Sequence, residues 1–82
     1  MNSLHRTDPE ERARLAALSP RERQVLSLVA RGKSARGIAT LLQISPRTVN
    51  LHAASIIRKL GADNRVHAVA IAVRAGLLTP DR

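Results

Sequence analysis

This chain of 82 residues contains no phenylalanine, tyrosine, tryptophan or cysteine. Its core must be assembled from leucine, isoleucine, valine and alanine, with no large ring to fill volume and no disulfide to brace a small domain. That restriction favours one tight helical bundle, or a core completed by a second subunit. Strand signals are also lacking: no sustained apolar–polar alternation and no Asn-Gly or Asp-Gly hairpin turn occurs. The missing cysteines exclude thiolate chemistry and fit an intracellular location. No apolar run approaches the roughly 20 residues that a membrane-spanning helix needs. The opening "MNSLHRTDPEERAR" lacks the apolar middle of a signal peptide.

Helix signals recur with clear punctuation. "TDPEERARLAAL" offers Thr7 or Asp8 as N-cap, Pro9 in the first turn and Glu10 and Glu11 at the positive end of the helix dipole, so a short lead-in helix is expected over 8–17. In "SPRERQVLSLVARG", Ser19 caps, Pro20 takes the first helical position and Glu22 completes a capping box. Val25, Leu28 and Val29 form the expected inner stripe, and Gly32 is placed to end that helix. "KSARGIATLLQ" restarts at Ser34, with Ile38, Leu41 and Leu42 expected to turn inward. Ser45, Pro46 and Gly61 bound a longer helix over 45–60, and an Asp63 or Asn64 cap and Gly76 bound the last. The expected fold is all-α: a four-helix bundle with a possible short extra helix in front. The expected division is an N-terminal arm or short helix at 1–17, one domain at 18–79 and a tail at 80–82. The two middle helices, joined through "LLQIS", have the outline of a helix-turn-helix.

Charge placement narrows the partner. Net charge is +8, and from Arg23 to Ala62 there is no Asp or Glu, while Arg23, Arg31, Lys33, Arg36, Arg47, Arg58 and Lys59 all fall in that interval. Charge of one sign repels itself unless a polyanion neutralises it, which indicates a nucleic acid before an anionic membrane. Single-stranded RNA is disfavoured because no aromatic ring is available for base stacking.

The helix 45–60 has two distinct faces. At 100° per residue, Val49, Ala53, Ile56 and Leu60 gather into an inner seam. Roughly opposite lie Arg47, Leu51, Ala54 and Arg58, flanked by Asn50 and Ser55. A solvated helix would more often carry Glu and Lys at i,i+4 spacing. A face with cations at both ends and small, amide and apolar groups between them fits the DNA major groove. Asn can pair with adenine in bidentate fashion, Leu can meet a thymine methyl, and Arg can hold guanine or a phosphate. His52 lies at the seam's edge, where a packed histidine is expected rather than a metal ligand. No nucleophile–base pair, paired carboxylates or glycine-rich phosphate loop stands out, so no enzyme, cofactor or metal is expected.

The segment "LSPRERQVLSLVARGKSARGIATLLQISPRTVNLHAASIIRKLGADNRVHAVAIAVRAGLL", residues 18–78, resembles the C-terminal DNA-binding domain of LuxR-type transcriptional regulators. "SPRE", "ARGKS", "IS..TVN.H", "I.RKLGA.NR" and "AVA.A...GL" occur in family order and spacing, and "TVNLH" and "KLGADNR" look closest to the quorum-sensing branch. The resemblance implies a four-helix bundle whose third helix reads the major groove and whose fourth pairs two subunits on an inverted repeat. It places base readers at Asn50, Leu51 and Ala54, to which the outer face adds Arg47. Phosphate contacts are implied at Ser34, Arg36, Thr48, Arg58 and Lys59. Ala54 stands where the family often has a long polar or basic residue, so Arg47, Ser55 or DNA shape would carry specificity there. Gly37 stands where a glutamate is usual, which leaves Arg36 freer and the short helix weaker.

Two further expectations concern partners. In the last helix Val66, Val69, Ala70 and Val73 are taken as the inner side, which leaves Ala68, Ile71, Ala72 and Ala75 to form the face of a homodimer. Family members carry a sensor or receiver domain ahead of the segment matching residue 18, and the stretch present here cannot hold a ligand, so either a free-standing regulator or an excised domain is expected, with the initial Met and compact N-terminal segment leaning towards the former. The function expected is therefore a sequence-specific regulator of transcription in the cytoplasm, on the bacterial nucleoid, with RNA polymerase or a full-length LuxR-type protein as further partners. The competing expectation is an interaction module that forms inactive mixed dimers with longer relatives. A sigma-factor type of promoter-binding helix-turn-helix shares the "SPRERQVL…IA" opening but has no need of the segment after Lys59.

Overall fold

A computed structural model describes residues 9–78, and these form five helices. They are α1 (Pro9–Ala16), α2 (Pro20–Ala30), α3 (Ala35–Leu42), α4 (Pro46–Leu60) and α5 (Arg65–Arg74), with no strand among the described residues. The fold is the expected all-α bundle, with α1 as the extra N-terminal helix. The caps expected for α1 at Thr7 or Asp8 lie outside the described residues.

Local chemistry sets where the helices begin. The Ser19 hydroxyl accepts from the Glu22 N–H at 3.0 Å, and the Glu22 carboxylate accepts from the Ser19 N–H at 2.8 Å, which is a complete capping box. Ser34 and Ser45 cap α3 and α4 in the same way, accepting from the N–H groups of Gly37 and Thr48. Helix α4 ends where Gly61 turns left-handed (φ +63°) and the Ala62 N–H reaches back to the Ile57 carbonyl at 3.0 Å. The turn between α3 and α4 uses the same closure with a different residue. Gln43 holds φ +58°, and the Ile44 N–H donates to the Ala39 carbonyl at 3.0 Å. A side chain at positive φ is strained, so the packing of α3 on α4 must hold it there.

The core runs through all five helices: Leu15, Leu18, Val25, Leu26, Ile38, Val49, Ile56, Leu60 and Ile71 are buried, with Ala39, Ala53, Ala68 and Ala72 between them. The alanines let the helices approach closely, which is how an aliphatic core fills without rings. Each fully buried Val or Ile contributes roughly 1.5–3 kcal/mol. Helix α4 is the central strut, packed against α1, α2, α3 and α5. Leu15 ties α1 into the same core, so α1 belongs to the bundle.

Two inner stripes differ from expectation. In α2 the buried pair is Val25 and Leu26, with Leu28 and Val29 only partly covered. In α3, Ile38 and Ala39 are buried while Leu41 is 58% exposed. Helix α3 is two turns long and meets α4 along the line of Ile38, Ala39 and Leu42, so Leu41 falls on the far side.

Gly37 in α3 forms no left-handed turn and so brings only its entropic cost. A Cβ added there would stand 3.4 Å from the Ser34 hydroxyl oxygen, within ordinary contact. Gly37→Ala is expected to stabilise the fold by roughly 0.5–1 kcal/mol in urea unfolding.

Candidate nucleic-acid interface

The seam Val49, Ala53, Ile56 and Leu60 is buried in the bundle, and this fixes the rotation of α4 about its own axis. The opposite face is consequently held towards solvent. Arg47, Asn50, Leu51, Ala54 and Arg58 are all exposed, with Leu51 at 59%. No carboxylate pairs with Arg47 or Arg58 among the described residues. The acids lie against other partners: Glu10 against Arg14, Glu11 against Arg74, Glu22 against Lys59 and Asp63 against His67.

At the start of α3, which packs on α4, Ser34 and Arg36 are also exposed. Thr48, half-buried in the first turn of α4, accepts a 2.9 Å hydrogen bond from the Ser45 hydroxyl. Helices α3, α4 and α5 share one further property: none has an acidic residue in its first turn, whereas α1 and α2 do. Asp63 stands just ahead of α5, but the positive ends of α3 and α4 carry no acid in their first turns, which favours an anion beside them.

Lys59 departs from expectation. Its ammonium does not project with Arg58 but turns inward, donating to the Glu22 carboxylate at 2.8 Å and to the Ala17 carbonyl at 3.3 Å. Glu22, 5% exposed, also accepts from the Ser55 hydroxyl at 2.6 Å. A buried carboxylate needs a countercharge, and Lys59 supplies it at the α2–α4 contact, so its ammonium is engaged by the fold where a phosphate contact was expected. Burial alone would push the Glu22 carboxyl up; the donors from Lys59, Ser55 and Ser19 outweigh it and hold the carboxyl at about 2. Ser55 spends its hydroxyl proton in this same network.

The expected dimer face is also corrected. Ala68, Ile71 and Ala72 are buried inside the subunit, Ile71 at 4%, and Ala75 is half-buried against the same core. Small residues around one Ile do suit close approach, but the helices approached are α2 and α4 of the same chain. The side left outward carries Val66, 78% exposed, with Ala70 and the half-buried Val73 at i,i+4,i+7 spacing.

One contact at the interface had no signal in the sequence. The Arg65 guanidinium, from the first residue of α5, donates to the Asn50 side-chain oxygen at 2.8 Å. Fifteen residues separate the two, and only the turn through Gly61 brings them together. No group of three or more His, Cys, Asp or Glu side chains able to hold a metal ion occurs among the described residues, and His52 is half-buried. No described helix is long and apolar enough to cross a membrane.

Comparison with known proteins gives this arrangement a family. Residues 16–72 match GerE, described as bacterial regulatory proteins of the luxR family. The chain is 51% identical over 63 residues to the transcriptional activator protein BjaR1 of Bradyrhizobium diazoefficiens, covering 77% of this chain and 26% of the relative. It is 49% identical over 65 residues to the transcriptional regulatory protein FixJ of Rhizobium meliloti (79% and 32%). With AhyR of Aeromonas hydrophila, a transcriptional activator protein, it shares 40% identity over 79 residues (96% and 28%). The chain thus spans between about a quarter and a third of the length of these curated relatives. Among solved structures, the transcription factor GerE superposes with a TM-score of 0.74 at 38% identity, covering 78% of this chain and 96% of that one. These are DNA-binding regulators and not enzymes. With a fold, a helix-turn-helix and a sequence segment all in agreement, the chain belongs to the luxR family of bacterial regulatory proteins and carries that family's helix-turn-helix DNA-binding domain.

Proposed function

We propose that the protein is a sequence-specific, double-stranded-DNA-binding transcriptional regulator that reads a palindromic promoter site as a homodimer. The observation that carries the reading is the outer face of α4, where two unpaired arginines bracket Asn50, Leu51 and Ala54. Asn50, Leu51, Ala54 and Arg47 meet base edges, while Arg58, Arg36, Ser34 and Thr48 hold phosphates. The acid-free first turns of α3 and α4 support this division, because their free N–H groups favour anionic oxygens. Two subunits pair through the outward stripe of Val66, Ala70 and Val73 in place of the buried one. BjaR1 and AhyR are transcriptional activators, which supports activation as the direction of control and RNA polymerase as a partner on the promoter. "TVNLH" and "KLGADNR" support the quorum-sensing branch, and a cytoplasmic, nucleoid-associated location follows from the DNA partner.

Selecting bound sites from a random duplex pool tests the proposal. The expected result is an inverted repeat whose half-site centres lie about one helical turn, roughly 10 base pairs, apart. A pool with no enriched sequence would refute sequence-specific reading, and a lone half-site would refute the dimer. The exposed Val66 stripe also supports a second reading, capture of a longer luxR-family protein in an inactive mixed dimer. Under that reading the chain enriches no duplex, yet strips such a protein from its own site.

A further inference from the structure

We infer that Arg65 is a specificity-determining residue: it fixes the orientation of the Asn50 amide and so sets which base edge that amide accepts. The inference rests on the proposal that Asn50 reads a base. A guanidinium has only hydrogens to offer, so its partner on Asn50 must be the carbonyl oxygen, as the 2.8 Å contact has it. The amide is thereby locked in one of its two flip states, with its oxygen towards α5 and its NH2 group left to face elsewhere.

Three features of Arg65 point the same way. First, it occupies the opening position of α5, where a positive charge opposes the helix dipole and an acid would serve stability better; the first turn of α5 has none. Second, Arg65, though exposed, borders an apolar cleft with Leu26, Val29, Ala53, Ile57 and Ala68, which places it against α4. Ala53 and Ile57 lie at i+3 and i+7 from Asn50, the edge of α4 that leads to the amide. Third, no carboxylate pairs with Arg65 among the described residues, so its charge is not spent on a structural ion pair.

The consequence for recognition is chemical. Bidentate pairing with adenine requires the Asn oxygen to accept from N6 while the NH2 donates to N7. With one lone pair of the oxygen held by Arg65, the donor side of the amide leads. It then favours edges rich in acceptors, the purine N7 and O6 or thymine O4, and rejects the N4 donor of cytosine. Removing Arg65 frees the amide to flip and admits cytosine at that position.

The test is site selection from a random duplex pool with the wild-type chain and with Asn50→Ala, Arg65→Ala, Arg65→Lys and the Asn50→Ala/Arg65→Ala double variant. Asn50→Ala is expected to flatten preference at one base pair in each half-site. Arg65→Ala is expected to relax that same base pair by about fivefold or more, with cytosine gaining, while the other positions keep their preference. Arg65→Lys, which returns the charge and a donor, restores the wild-type profile. The double variant should look like Asn50→Ala alone at that base pair, because one residue acts through the other. If Arg65→Ala weakens every sequence alike and leaves the profile intact while Asn50→Ala alters it, the positioning role is overturned and base reading by Asn50 stands. If Asn50→Ala changes no position, base reading falls and the role of Arg65 falls with it.

Discussion

Replacing Glu22 with alanine is expected to lower the unfolding free energy by about 3 kcal/mol at pH 7. The residue sits at the junction of α2 and α4, accepting from the Ser19 N–H, the Ser55 hydroxyl and the Lys59 ammonium. Its carboxyl titrates at about 2 in the fold against 4.5 for an unperturbed glutamate, a difference that corresponds to about 3 kcal/mol. The sign follows from the direction of that difference. A carboxyl whose folded pKa is depressed stabilises the fold at every pH above about 4.5, and the contribution drains away as pH falls through about 2. The gap between wild type and Glu22→Ala should therefore be widest at neutral pH and narrow by more than half between pH 5 and pH 2. Lys59→Met, which strands the buried carboxylate with two neutral donors, should lose at least as much at pH 7, and the loss should shrink as falling pH protonates a Glu22 whose pKa is no longer held down by Lys59. Urea unfolding across this pH range measures all three proteins. A gap that stays constant with pH would mean that the charge of Glu22 contributes nothing.

The second large effect separates binding from stability. Ala54 is exposed in the middle of the outer face of α4, where a longer side chain meets no protein atom that must move. Glutamate is a good helix former, and at this position it has Arg58 four residues on, so Ala54→Glu should change unfolding by less than about 0.5 kcal/mol. On DNA, with Arg58 held by a phosphate, the same carboxylate would be pressed between base edges and two phosphate backbones with no partner. Burying an unpaired charge of that sign costs roughly 3 kcal/mol or more, about a hundredfold in Kd. Ala54→Gln, of equal size and no charge, should bind within about tenfold of wild type with altered site preference. Anisotropy titrations with a labelled duplex distinguish the two. Equal losses for both variants would assign the effect to bulk alone, and no loss for Ala54→Glu would remove Ala54 from the interface.

The residues that sequence reasoning located well are those whose environment is set by near neighbours. Ser19, Ser34 and Ser45 cap helices through bonds spanning three residues, so each cap is written in a short string. The buried seam of α4 follows from helical period alone, because that helix is apolar on one side only. Helix α5 is apolar on both sides, and period cannot choose between them. Residue size invited the choice of Ala68, Ile71 and Ala72 as an outer face, yet the same small size is what lets α5 lie close to α2 and α4. Lys59 and Arg58 are adjacent and equally basic in the sequence. Only the fold sets one beside Glu22, 37 residues away, and leaves the other in solvent. The Arg65–Asn50 contact and the left-handed Gln43 are hidden for the same reason, since both are imposed by how α4 is seated against its neighbours.

The central claim is that the rotation of α4 fixed by its buried seam presents one face to the major groove of DNA. Titrating the isotopically labelled chain with a short duplex at low salt and following backbone amide shifts tests it directly. The largest shifts should fall at Arg47, Asn50, Leu51, Ala54 and Arg58, with smaller ones at Ser34 and Arg36 and little change around the exposed Leu41. Shifts centred on Leu41, Arg23 and Arg31 between α2 and α3, with the outer face of α4 unmoved, would contradict the account.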